Sequence, residues 1–118
     1  MIQLRKKNQR NTGSIYKHKP VIRVAKSTQA RFIVSQIIVD ELKINTETEG
    51  IMFGIKDKKL HIFKEPKEAD NYHLAKYDAS TFRFRSMELY EYVSEFFKVA
   101  KDKIFYIEMQ SDKTFKLI

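Results

Sequence analysis

The chain is expected to fold as a strand-rich α+β domain in which two hairpin–helix–hairpin repeats form one compact, pseudo-symmetric unit. Three observations carry this expectation. The stretch RFIVSQIIVDELKI, residues 31–44, passes from strand-like to helix-like patterning across a single serine, and FRFRSMELYEYVSEFFKV, residues 82–99, does the same. Each is flanked by short β-branched or alternating runs bounded by turn-forming clusters, the pattern of hairpins. A length of 118 residues supports one core rather than two independent ones.

Along the chain, residues 1–18 show neither helical nor strand periodicity, contain the turn-forming N-T-G-S, and read as a flexible basic arm. Residues 19–118 form the single domain, with repeats 19–64 and 72–118 joined by the polar linker K-E-P-K-E-A-D-N. In the first repeat VIRVAK and RFIV flank S-T-Q, which predicts a hairpin over 20–34. Ser35 is placed to cap a short helix in which Ile38 and Leu42 share one face. IMFGI, K-D-K-K and LHIFK then predict a second hairpin. In the second repeat YHLAKY, D-A-S and TFRFR predict a hairpin with Phe82 and Phe84 on one face and Arg83 and Arg85 on the other. Ser86 is the next cap, and Glu88 lies in the first turn, where a negative charge favours the helix dipole. Leu89, Val93, Phe96 and Phe97 make an apolar stripe, and KIFYIEM, Q-S-D-K and TFKLI complete the last hairpin. Aligning the halves sets Ser35 on Ser86, Lys43-Ile44 on Lys98-Val99, Met52-Phe53 on Phe105-Tyr106 and Asp57-Lys58 on Asp112-Lys113, with about one extra turn in the second helix.

Charge is the most informative part of the composition. The formal net is +8, and residues 1–39 hold nine Lys/Arg and no acid, whereas the remainder is close to neutral. Such asymmetry points to a polyanion, nucleic acid before membrane, because no amphipathic apolar helix accompanies it. The absence of cysteine excludes a disulfide framework and Cys-ligated zinc. The longest apolar run is too short to span a bilayer, and the basic N-terminus has no apolar stretch of a secretory signal, so a cytoplasmic location is expected.

VIRVAKSTQARFIVSQIIVDELKINTETEGIMFGIKDKKLHIFKEPK resembles the AbrB/SpoVT family of swapped-hairpin DNA-binding domains. Arg31-Phe32-Ile33-Val34 resembles the strand before the family's helix, Leu42-Lys43-Ile44 the helix end, and Ile51 to Phe63 the closing hairpin; residues 72–118 resemble it more weakly. The chain departs from the pattern at Ala30, Ser35 and Val39-Asp40, where the family carries Gly, Pro and a basic pair. The resemblance implies a paired assembly, with Arg23, Lys26 and Arg31 facing DNA in the first half and Lys76, Arg83 and Arg85 in the second. Two such units in one chain would make a pseudo-dimer, with a homodimer as the alternative.

The arm adds Arg5, Lys6, Lys7, Arg10 and Lys17, and the start of the domain adds Lys19, as expected phosphate contacts. Arg83 and Arg85 also fit the wet face of a half-buried strand, and most of the Phe residues fit the core. His18, His61 and His73 lack ligand spacing, and no phosphate-loop, nucleophile-elbow or zinc-protease motif occurs. The expectation is therefore a non-enzymatic nucleic-acid-binding protein without cofactor, metal, membrane or small-molecule substrate. Within that class it is a double-stranded-DNA-binding transcriptional regulator or genome-associated protein, of the kind carried by a phage or mobile element. The alternatives are a single-strand binder using exposed Tyr and Phe, and a protein-interaction or virion structural module.

Overall fold

In a computed structural model, which describes residues 14–99 and 103–118, eight antiparallel strands and three short helices follow the order α1 (Ser14–His18), β1 (Val21–Lys26), β2 (Ala30–Ser35), α2 (Gln36–Glu41), β3 (Glu49–Lys56), β4 (Lys59–Pro66), β5 (Ala75–Asp78), β6 (Thr81–Arg85), α3 (Met87–Phe96), β7 (Ile104–Met109) and β8 (Thr114–Leu117). The strand-rich α+β class is therefore as expected. None of the described helices is long and apolar enough to cross a membrane.

The strands form one sheet in the order β3-β4-β8-β7-β1-β2-β6-β5, and it curls so far that its two ends touch: Ile51 of β3 bridges Tyr72, just before β5. Period two explains the inside of the curl. In register, Phe105, Val24, Phe32 and Phe84 lie side by side across four strands, and so do Ile107, Ile22, Val34 and Phe82. All eight are buried and point to one face, where Ile38, Leu89 and Val93 close over them from the helices. Phe32 stacks on Phe84 at 4.8 Å between ring centres, and Tyr72 on Phe84 at 5.1 Å, so the sheet's closing segment is bolted to its middle by aromatic rings.

The polar segment expected to be a mere linker performs that closure. Buried Asn71 donates to the Pro66 carbonyl at 2.8 Å and to Glu65 Oε1 at 3.2 Å, and accepts from the Glu68 N–H. Opposite it stands Gly50, where a Cβ would meet Asn71 Oδ1 and come within 2.9 Å of the Tyr72 carbonyl; a glycine lets the two backbones approach.

Two further expectations are corrected. Residues 14–18 are not part of an irregular arm but form helix α1, which packs against β2 and α2. Ser35 does not cap α2: its hydroxyl, fully buried, accepts instead from the Val21 N–H at 3.1 Å, whereas Ser86 does cap α3, accepting from the Leu89 N–H at 3.0 Å. The difference is one of placement, since Ser35 is still the last residue of β2, and its side chain faces the neighbouring strand.

The helix ends match each other closely. At α2, Lys43 has φ 53° and the Ile44 N–H reaches back to the Val39 carbonyl; at α3, Lys98 has φ 55° and the Val99 N–H reaches back to the Ser94 carbonyl. Both are left-handed terminations that satisfy otherwise orphaned carbonyls. The β3–β4 hairpin turns on Asp57 and Lys58, with φ 54° and 61°, a two-residue turn whose twist suits the flanking strands.

Candidate nucleic-acid interface

The face of the sheet opposite the core is where the cations of β1, β2 and β6 meet. Because Phe32 and Phe84 point inward, Arg31, Arg83 and Arg85 point outward, and the antiparallel register sets them in two rows. One row reads Tyr106, Arg23, Ile33, Arg83, Ala75 across five strands; the next reads Ile104, Ala25, Arg31, Arg85 across four. Arg31 lies directly opposite Arg85. Neighbouring strands are about 4.8 Å apart, so four guanidinium groups spring from a patch about 10 Å across.

Helix α1 covers part of this face. Val21 and Ile33 are buried although they point away from the main core, and α1 packs on β2 beside them. Tyr16 of α1 is half-buried there; burial first, and Tyr106 second, push its phenol up to about 12, so it stays neutral beside the arginines. The Arg31 end is left open. It holds a cavity of about 240 Å³ whose described lining includes Arg23, Lys26, Arg31 and Arg83, with Tyr77, Ile33 and Ile104 as its apolar walls.

Among the described residues, none of Arg23, Arg31, Arg83 or Arg85 forms an ion pair; the ion pairs are Lys59–Asp112 and Lys64–Glu49, neither of which involves β1, β2 or β6. Arg83 instead stacks on the Tyr77 ring, 4.9 Å from its centre. The nearby carboxylate, Asp78, is partly desolvated, which alone would raise its pKa; hydrogen bonds, among them those from the Ser80 N–H and hydroxyl, outweigh this and hold it below the ordinary range. Its Oδ1 accepts from the Ser80 N–H at 2.8 Å, which ties the charge into the β5–β6 turn. The result is a concave, cationic site whose local acid is engaged elsewhere.

Of the expected contact residues, Arg23, Arg31, Arg83 and Arg85 come together on this face. Lys26, at the end of β1, borders the cavity but takes the inward pleat of Val24, and its ammonium turns to α3, 5.5 Å from the centre of the Tyr90 ring. Lys76 does not join them: it faces the opposite side of β5, its ammonium 4.6 Å from the Phe82 ring centre and donating to Gln36 Oε1 at 2.8 Å. Lys17 and Lys19 are exposed at and just beyond the end of α1. Arg5, Lys6, Lys7 and Arg10 lie outside the described residues.

Tyr77, Tyr106 and Ile104 are members of the face that the sequence reading did not single out. For Tyr77 the signal was hidden, since Lys76 was expected on this face, and only its pairing with inward Phe82 turns the next side chain outward with Arg83. A second hollow, about 540 Å³ and mostly apolar, lies between β3 and α3 and is lined by Met52, Phe53, Ile55, Tyr72, Tyr92 and Phe96 among others. No family model matches the chain, and neither does any of the curated proteins or solved structures compared with it.

Proposed function

We propose that the protein binds nucleic acid through the outward face of β1, β2 and β6, with Arg23, Arg31, Arg83 and Arg85 as its phosphate contacts and Lys26 at the rim. The observation that carries the reading is the Arg31–Arg85 pair: like charges directly opposite across a sheet destabilise it. Two arginines kept in that relation, without a described acid between them, are explained by a bound anion that offsets their repulsion. Phosphates at regular spacing supply that charge along a strand. The protein would act as a regulator or genome-associated factor without chemistry of its own.

The pseudo-dimeric architecture implied by the AbrB/SpoVT resemblance is part of this proposal. Exchanging β1 with β5, β2 with β6, β3 with β7 and β4 with β8 leaves the strand order unchanged once the Ile51–Tyr72 bridge is counted as the partner of the β1–β7 pairing. The matched helix ends at Lys43 and Lys98 support the same relation. The register requires one adjustment to the alignment. Setting Ser35 on Ser86 would place inward Phe32 on outward Arg83, whereas setting Gln36 on Ser86 preserves the pleat and places Phe32 on Phe82.

The test is fluorescence anisotropy with labelled oligonucleotides at two salt concentrations. Binding that weakens steeply with salt, and that Arg31→Gln and Arg85→Gln each reduce, supports the reading; no binding at low salt removes it. The apolar hollow between β3 and α3 favours one other reading, a protein-interaction module, for which those two substitutions would leave partner capture unchanged.

A further inference from the structure

We propose that the strand bound at this face is unpaired, with one phosphate held in the arginine cavity and the adjoining base stacked on Tyr77. This rests on the nucleic-acid reading and specifies its substrate class. Shape is the first argument. The cationic groups surround a hollow of about 240 Å³ instead of projecting from a ridge. That volume is below the range usual for drug-sized ligands and suits a group the size of a phosphate. A duplex presents a stiff, convex backbone, and its phosphates cannot turn individually into a recess; the backbone of a single strand can.

The second argument is Tyr77. It is 53% exposed, and yet it is not a loose surface ring, because the Arg83 guanidinium lies against it. The guanidinium braces the ring beside the cavity, and the exposed ring surface is a platform for a planar base. Ile104, 50% exposed on the far wall, bounds the recess with a second apolar surface. An aromatic ring next to a cluster of cations is the arrangement by which single strands are held without base-specific hydrogen bonds. Ser27 at the β1–β2 turn lines the same hollow and places a further donor beside the phosphate.

The experiment compares labelled oligothymidylate, an abasic deoxyribose-phosphate strand of equal length and a mixed-sequence duplex, using the full chain and its Tyr77→Ala, Tyr77→Phe and Arg31→Gln variants. The expected result is a preference for oligothymidylate over duplex. Tyr77→Ala should lose about tenfold in affinity for oligothymidylate, and Tyr77→Phe should stay within about twofold of the parent. Abasic strand should bind parent and Tyr77→Ala alike, while Arg31→Gln should weaken both strands. Equal or tighter duplex binding, or an unchanged oligothymidylate affinity in Tyr77→Ala, overturns the single-strand proposal and leaves the nucleic-acid reading standing. Failure of all three probes to bind overturns both.

Discussion

Arg31 and Arg85 face each other across β2 and β6 with no described acid between them. Removing either charge should relieve a cross-strand repulsion, so Arg85→Gln is expected to raise the unfolding free energy of the free protein by about 0.2–1 kcal/mol. The same substitution should lower nucleic-acid affinity and reduce the slope of log K against log salt by roughly one phosphate contact. Urea denaturation and a salt titration of binding measure the two effects. Their opposite signs distinguish a binding residue from a structural one.

Lys43 and Lys98 occupy the same left-handed position at the ends of α2 and α3. A side chain there carries a steric cost that glycine avoids, partly offset by the greater freedom of glycine in the unfolded chain. Lys43→Gly and Lys98→Gly are each expected to stabilise the fold by about 0.5–1 kcal/mol. Equal gains in thermal melts would also support equivalent helix ends in the two halves.

Ser86→Ala removes a helix cap and should cost about 1 kcal/mol. Ser35→Ala acts differently, because it removes the side-chain acceptor of the buried Val21 N–H. That group also reaches the Lys19 carbonyl at 3.0 Å, so the loss should stay in the range of about 1–2 kcal/mol. Hydrogen exchange separates the two cases: protection should fall at Val21 in the first strand for Ser35→Ala, and at Leu89 in the first turn of α3 for Ser86→Ala.

Tyr16 sets an alkaline limit on the outward face. Its phenol is pushed from 10.0 to about 12, chiefly by burial, so between these values the unfolded chain has lost a proton that the folded chain keeps. Folding stability therefore falls as pH rises through that window. Absorbance of the tyrosinate should show one group titrating near 12, and Tyr16→Phe should abolish both that step and its share of the alkaline loss.

The element order was legible because the chain alternates its periods cleanly. Phe82-Arg83-Phe84-Arg85 fixes the pleat of β6, Asp57-Lys58 marks a two-residue turn, and Leu89 with Val93 gives the buried side of α3. Three things were not legible. A lone serine before a helix cannot reveal whether its hydroxyl turns to the helix or to a neighbouring strand, and Ser35 and Ser86 took opposite courses. A short segment such as Ser14–His18 carries too little periodicity to announce a helix whose stability comes from packing on β2 and α2. The arginine cavity depends on which strands become neighbours. The pairing of β2 with β6 brings Arg31 to Arg85, and no local pattern encodes a contact across half the chain. The same pairing leaves Lys76 behind, since it stands opposite inward Phe82 and faces the core side.

The interleaved strand order also governs how this chain can reach its native state. β7 lies between β8 and β1, so position 24 must find position 105 before the middle of the sheet exists. Neither half owns a complete core: cut between Pro66 and Asn71, each fragment would expose unpaired strand edges and bury little on its own. Separate fragments should therefore be unstructured apart and regain the fold only when mixed. The intact chain should fold in milliseconds to seconds, slowly for its size, because distant pairings must close long loops before they are rewarded.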